Sequence, residues 1–134
     1  MERGSVSGAG PASATRCATH LRELADSVGD PMDESKFCGP MVSSKQQDSV
    51  SSYIAAGIEE GATLVAGGLG MPEGLDKGYF VRPTVFANVT PEMTIFREEI
   101  FGPVVTAQAF RTSKEAIALA NNTKCDKNII FDFL

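Results

Sequence analysis

Positive charge is scarce in this chain: 12 lysines and arginines stand against 17 aspartates and glutamates, a net charge of −5. A negative surplus repels phosphate backbones and anionic headgroups, so neither nucleic acid nor an anionic membrane is the expected partner. No hydrophobic run approaches the ~20 residues of a membrane-spanning helix. The first fifteen residues lack an apolar central segment, so they do not read as a secretory signal. Cysteines are few and odd in number: Cys17, Cys38 and Cys125. Thiols so widely spaced fit free cysteines in the cytoplasm, or another reducing compartment, better than a disulfide framework. Metal-ligand clusters are missing too. Cys17 and His20 are three apart and could share a helix face, but a structural zinc takes about four ligands and no others gather nearby. No metal site is assigned. A pyrophosphate fingerprint is also absent, because no helical pattern follows Gly67-Gly68-Leu69-Gly70.

What is present is an ordinary soluble-domain composition, 43% hydrophobic and 22% charged over 134 residues, enough for one domain. Residues 1–15 are rich in Gly, Ala and Ser and are expected to be a disordered tail. Cys17, His20, Leu21, Leu24 and Val28 recur at helical spacing, which predicts a helix over residues 16–27. A loop follows from Asp30-Pro31 to Gly39-Pro40. Ser43 and Gln46 have the spacing of a capping box. They open a second helix with Val50, Tyr53, Ile54, Gly57 and Ile58 on one face. A glycine on that face costs about 1 kcal/mol relative to alanine, so a close neighbour is expected against Gly57. Gly61 ends the helix.

Thr63 to Ala66 reads as a short buried strand closed by Gly67-Gly68, and residues 69–78 as a surface loop. Residues 79–89 are strand-like but interrupted by Pro83, which belongs at an edge or bulge. After the turn Thr90-Pro91-Glu92, residues 104–110 form the next strand. Thr112 and Glu115 make another capping box, opening a helix to about Asn121 with Ala116, Ile117 and Ala120 inward. Interspersed helices and short apolar strands favour an α/β layer fold over a sandwich.

The most informative stretch is Arg97-Glu98-Glu99-Ile100-Phe101-Gly102-Pro103-Val104. Gly102 admits backbone angles that other residues resist, and Pro103 suits the first position of a strand. The turn would hold a carboxylate and a phenyl ring at the end of a sheet, where ligands of open α/β folds tend to sit. On residue type alone, a solvated acidic turn and a buried phenylalanine anchor are the commoner explanation.

This octet resembles the Glu-Glu-Ile-Phe-Gly-Pro signature of the aldehyde dehydrogenase superfamily. Gly29-Asp30-Pro31, Gly39-Pro40, Gly61-Ala62-Thr63-Leu64, Gly67-Gly68, residues 78–85 and residues 115–121 resemble the same family in its order. The likeness covers residues 19–124. It implies a partial aldehyde-dehydrogenase catalytic domain over residues 16–124, with an open, mostly parallel sheet and flanking helices. It also implies a chemistry in which a cysteine thiolate attacks an aldehyde, hydride leaves for NAD or NADP, and a thioester is hydrolysed.

By that resemblance Glu99 matches the acid that accepts the nicotinamide-ribose hydroxyls, and Phe101 the aromatic beside them. Glu98 is read as structural. No catalytic residue is assigned. The family's nucleophile stands in a Gly-Gln-x-Cys context well upstream of Gly29, which neither Cys17 nor Cys38 matches, and its general-base glutamate also precedes this segment. Residues 125–134 depart from the family. The chain alone is therefore expected to be inactive. The alternative is a non-catalytic module that docks on full-length relatives through open sheet edges.

Overall fold

The computed structural model describes residues 27–122. The expected tails over residues 1–15 and 125–134, and all but the last residue of the helix expected over 16–27, lie outside the described residues. So do Cys17, His20 and Cys125.

The longest element is α1 (Ser44–Glu59). Ser43 caps it: its backbone is extended, and its side-chain oxygen accepts the Gln46 amide at 3.2 Å. Val50, Ile54 and Gly57 are buried along one face. Ile58, placed on that face by spacing, is instead 42% exposed. Gly57 has the close neighbours its position called for. A Cβ there would lie 2.9 Å from Ile95 Cδ1 and 3.1 Å from Phe86 Cζ. The helix ends as a Schellman motif. Gly61 adopts φ 92°, the Ala62 amide donates to the Gly57 carbonyl, and the Gly61 amide donates to that of Ile58.

Three strands follow, β1 (Thr63–Ala66), β2 (Thr84–Ala87) and β3 (Val104–Thr106), in spatial order β1-β2-β3. The α/β expectation holds, but "mostly parallel" does not describe these strands. β1 pairs antiparallel with β2 across a bulge between Leu64 and Ala66, whereas β2 and β3 are parallel. β1 is also not a buried strand. It lies at the sheet edge, and only Ala66 is buried. β2 takes the centre, and all four of its residues are buried. The long strand expected over 79–89 shrinks to these four. Pro83 stands neither at an edge nor in a bulge but immediately before this central strand, where its missing N–H removes nothing from the ladder. β3 is likewise shorter than the expected 104–110.

Parallel neighbours need a crossover, and the link from β2 to β3 carries the short helix α2 (Thr94–Arg97). Its N-cap, Met93, offers no side-chain bond. Glu60, at the end of α1, supplies the cap from across the fold. Its carboxylate accepts the Thr94 amide at 2.7 Å and the Thr94 hydroxyl at 2.6 Å, and an acid at a helix N-terminus is favourably placed. The core lies between α1 and the sheet and contains Val50, Ile54, Val81, Phe86, Val89, Ile95 and Ile100. The last helix is α3 (Ser113–Ala120). Thr112 caps it, with Glu115 Oε2 accepting the Arg111 amide at 2.9 Å. Its expected inner face is not buried: Ile117 is 63% exposed and no residue of α3 is buried. Helical spacing marks an apolar stripe, but burial needs a partner layer, and none covers this helix among the described residues.

Gly67 is the tightest backbone site. At φ 78°, a Cβ on it would collide with the Pro83 carbonyl oxygen, a rigid backbone atom. Gly61 also has positive φ but faces open space. Gly67→Ala should destabilise the chain by ~3 kcal/mol or more, the sum of left-handed strain and overpacking. Gly61→Ala should lose only about 1 kcal/mol. Urea unfolding of both variants checks the order, and equal losses would contradict it.

Candidate functional site

The signature turn is built by three residues with different tasks. Ile100 is the anchor: it is 9% exposed and joins the core. Glu99 and Phe101, on either side of it, are both exposed, Phe101 at 72%. That excludes a buried phenylalanine anchor at position 101. The apolar requirement of the turn is met by the isoleucine, which leaves the ring free for another use.

The backbone also differs from what the sequence implied. The positive φ falls on Phe101, at 47°, and not on Gly102. Gly102 is needed for close approach. A Cβ there would stand 2.6 Å from Val50 Cγ2 and 2.8 Å from Val50 Cγ1, and valine is too stiff to move aside cheaply. Phe101 is held in its unfavourable conformation partly by Gln46, whose Nε2 donates to the Phe101 carbonyl at 2.9 Å. Glu98 has a structural partner, as expected, for its Oε2 accepts the Tyr53 hydroxyl at 2.7 Å. Sequence reasoning assigned Gln46 to a capping box and Tyr53 to a helix face. Their reach to the turn depends on tertiary contact.

The turn lies at the sheet end, but at the amino-terminal ends of the parallel pair, with Thr84 opposite Val104 and the Thr84 amide donating to the Pro103 carbonyl. The general preference of ligands for carboxyl ends therefore does not apply to it. A half-open hollow of about 300 Å³ elsewhere is lined by Val28, Gly29, Asp30, Lys36 and the 72–75 loop, and neither Glu99 nor Phe101 borders it. An ionised glutamate is acceptor-only and can accept hydrogen bonds from two hydroxyls, and an exposed ring offers an apolar face.

Cys38 has no nucleophile's setting. It bridges Val28, its thiol faces the Gly39 carbonyl at 3.7 Å, and burial pushes its pKa up, which lowers the thiolate fraction. Among the described residues no group of three or more His, Cys, Asp or Glu could hold a metal ion, and no helix is long and apolar enough to cross a membrane.

The family model described as "Aldehyde dehydrogenase family" matches residues 11–127. This chain belongs to the aldehyde dehydrogenase family. A putative aldehyde dehydrogenase from Staphylococcus saprophyticus is 57% identical over 97 residues, which is 72% of this chain and 20% of that protein. The chain thus spans about one fifth of the length of that curated relative. Among solved structures, the aldehyde dehydrogenase of Bartonella henselae superposes with a TM-score of 0.77 at 47% identity, over 84% of this chain and 24% of that one. An aldehyde dehydrogenase C variant from Pseudomonas syringae, complexed with NAD+ and octanal, gives 0.80 at 42% identity, over 84% and 23%. The Mycobacterium tuberculosis enzyme complexed with NAD+ gives 0.74 at 46%, over 84% and 23%.

Because its pKa is raised, Cys38 should alkylate with iodoacetamide more slowly at pH 8 than a free cysteine, and its pH–rate midpoint should lie higher. Mass spectrometry of the Cys38 peptide separates it from Cys17 and Cys125. A midpoint below that of a free thiol would contradict the burial argument.

Proposed function

We propose that residues 16–124 are a partial catalytic domain of an aldehyde dehydrogenase that uses NAD or NADP, and that Glu99 and Phe101 contribute to the nicotinamide-ribose site. The observation that carries this is the exposure of both residues around a buried Ile100 within a family signature. An exposed ring two residues from an exposed carboxylate supports this reading, since the residue that packs into the core between them is Ile100. When bound, the coenzyme supplies the hydride acceptor. This chain's part is to accept hydrogen bonds from the ribose hydroxyls at the Glu99 carboxylate and to shield one side of the sugar with Phe101. The nucleophile and general base that turn an aldehyde into an acid through a thioester have no matching residues here. On this reading the 134-residue chain alone does not oxidise aldehydes. A reducing compartment, such as the cytoplasm, suits the free thiol of Cys38.

A second reading is favoured by the edge position of β1 and the exposed Ile117 on α3. Here the chain docks on a longer family member and performs no chemistry of its own. Co-purification with such a relative supports it, and a monodisperse monomer that ignores one opposes it.

Two measurements test the main reading. The purified chain should form no NADH from NAD and acetaldehyde. NADH formation that disappears on Cys17→Ala would overturn the inactive assignment. In the Staphylococcus saprophyticus relative, the matching stretch can be replaced by that of this chain. There Glu99→Gln and Phe101→Ala should each lower kcat/KM for NAD by roughly tenfold, because misplacing the nicotinamide slows hydride transfer. Unchanged kcat/KM in both would remove these residues from the cofactor site.

A further inference from the structure

We infer that one stripe of α1, formed by Gln46, Val50 and Tyr53, is a clamp that sets the conformation of the 98–102 turn and so the aim of Glu99 and Phe101. The functional meaning of that aim rests on the cofactor reading above; the clamp itself does not.

The three residues are spaced i, i+4, i+7, which puts them in a row along one helix face. Each engages a different residue of the turn. The Tyr53 hydroxyl donates to Glu98 Oε2 at 2.7 Å. Gln46 Nε2, 55 residues away along the chain, donates to the Phe101 carbonyl at 2.9 Å. Val50, fully buried, packs so closely on Gly102 that no Cβ fits between them. The contacts bracket Glu99 and Phe101 while leaving both side chains exposed.

The arrangement explains how a bulky aromatic stays at φ 47°. Left-handed backbone at such a residue persists only where its surroundings over-determine it. Gln46 fixes the peptide plane after Phe101, and Val50 fixes the position of Gly102. A phenylalanine released into the extended region would swing its ring away from its present direction. The two hydrogen bonds are exposed and compete with water, so each alone is weak. The buried Val50–Gly102 contact makes them effective by holding the partners in register. Gln46 and Tyr53 are therefore positioning residues, acting through the backbone and through Glu98.

The test uses the complete 134-residue chain without cofactor. Gln46→Glu keeps the shape but removes the donor, since a carboxylate only accepts; Tyr53→Phe keeps the ring and removes the hydroxyl. Amide exchange over residues 99–104 should rise about fivefold in Gln46→Glu and further in the double variant, with β2 and central α1 unchanged. The scalar coupling that reports the φ of Phe101 should move toward its extended value, and the Phe101 carbonyl carbon should shift. Gln46→Lys, which restores an N–H donor, should return the coupling toward that of the wild type. Unchanged exchange and coupling in the double variant would overturn the clamp. So would a uniform acceleration through β2 and α1, which marks a general loss of stability. If the clamp passes while Glu99→Gln leaves the NAD kinetics of the chimera untouched, the cofactor reading fails and the clamp stands.

Discussion

The contact between Val50 and Gly102 is the constraint on which the rest of the site depends. Val50 is fully buried in the middle of α1, and Gly102 opens the backbone into β3. Their proximity ties the longest helix to the start of the last strand. It forces the chain before Gly102 to reach the core through Ile100, because there is no room for a side chain at position 102 itself. With Ile100 committed inward, the residues on either side are left to solvent. A void too small for a methyl group thus settles where a carboxylate and a ring are displayed, since interiors are packed too densely to yield.

A second tie closes the layer from the other end of α1. Glu60 caps α2 at Thr94, and Gly57 accepts Ile95 and Phe86 against the helix surface. The crossover from β2 to β3 is therefore gripped by α1 at both of its ends, at α2 and at the signature turn. Family membership and this geometry are consistent. Solved family members superpose over 84% of the chain, so the segment keeps its arrangement although it spans only a fifth to a quarter of theirs.

Local signals were legible where a short-range interaction decided the outcome. Ser43 and Thr112 cap helices as their hydroxyls predict, and Gly61 ends α1 through bonds confined to six residues. Several of the expectations that failed concerned layers. Thr63 to Ala66 is apolar enough for an interior strand, yet it became an edge because no further strand pairs with its outer side among the described residues. Ile117 lies on a regular apolar stripe, yet no layer among the described residues buries it. The glycine of the signature was assigned a torsional role, and it has a steric one instead. A glycine in a string of letters does not reveal which of its two uses is in play.

Read along the chain alone, the residues define the boundaries of α1 and α3, the α/β class and, through an ordered series of motifs, the family, because capping bonds, periodicity and motif order are local; the four-residue helix α2 had no such signal. The sequence also singled out Glu99 and Phe101 by resemblance. Packing across the fold was needed to show that Ile100 and not Phe101 anchors the turn, that the left-handed residue is the phenylalanine, and that Gln46 and Tyr53 reach across to hold it. Those outcomes arise from contacts between residues some 45 to 55 positions apart. Which distant surfaces meet is fixed by the packing of α1 on the sheet, and no local pattern encodes it.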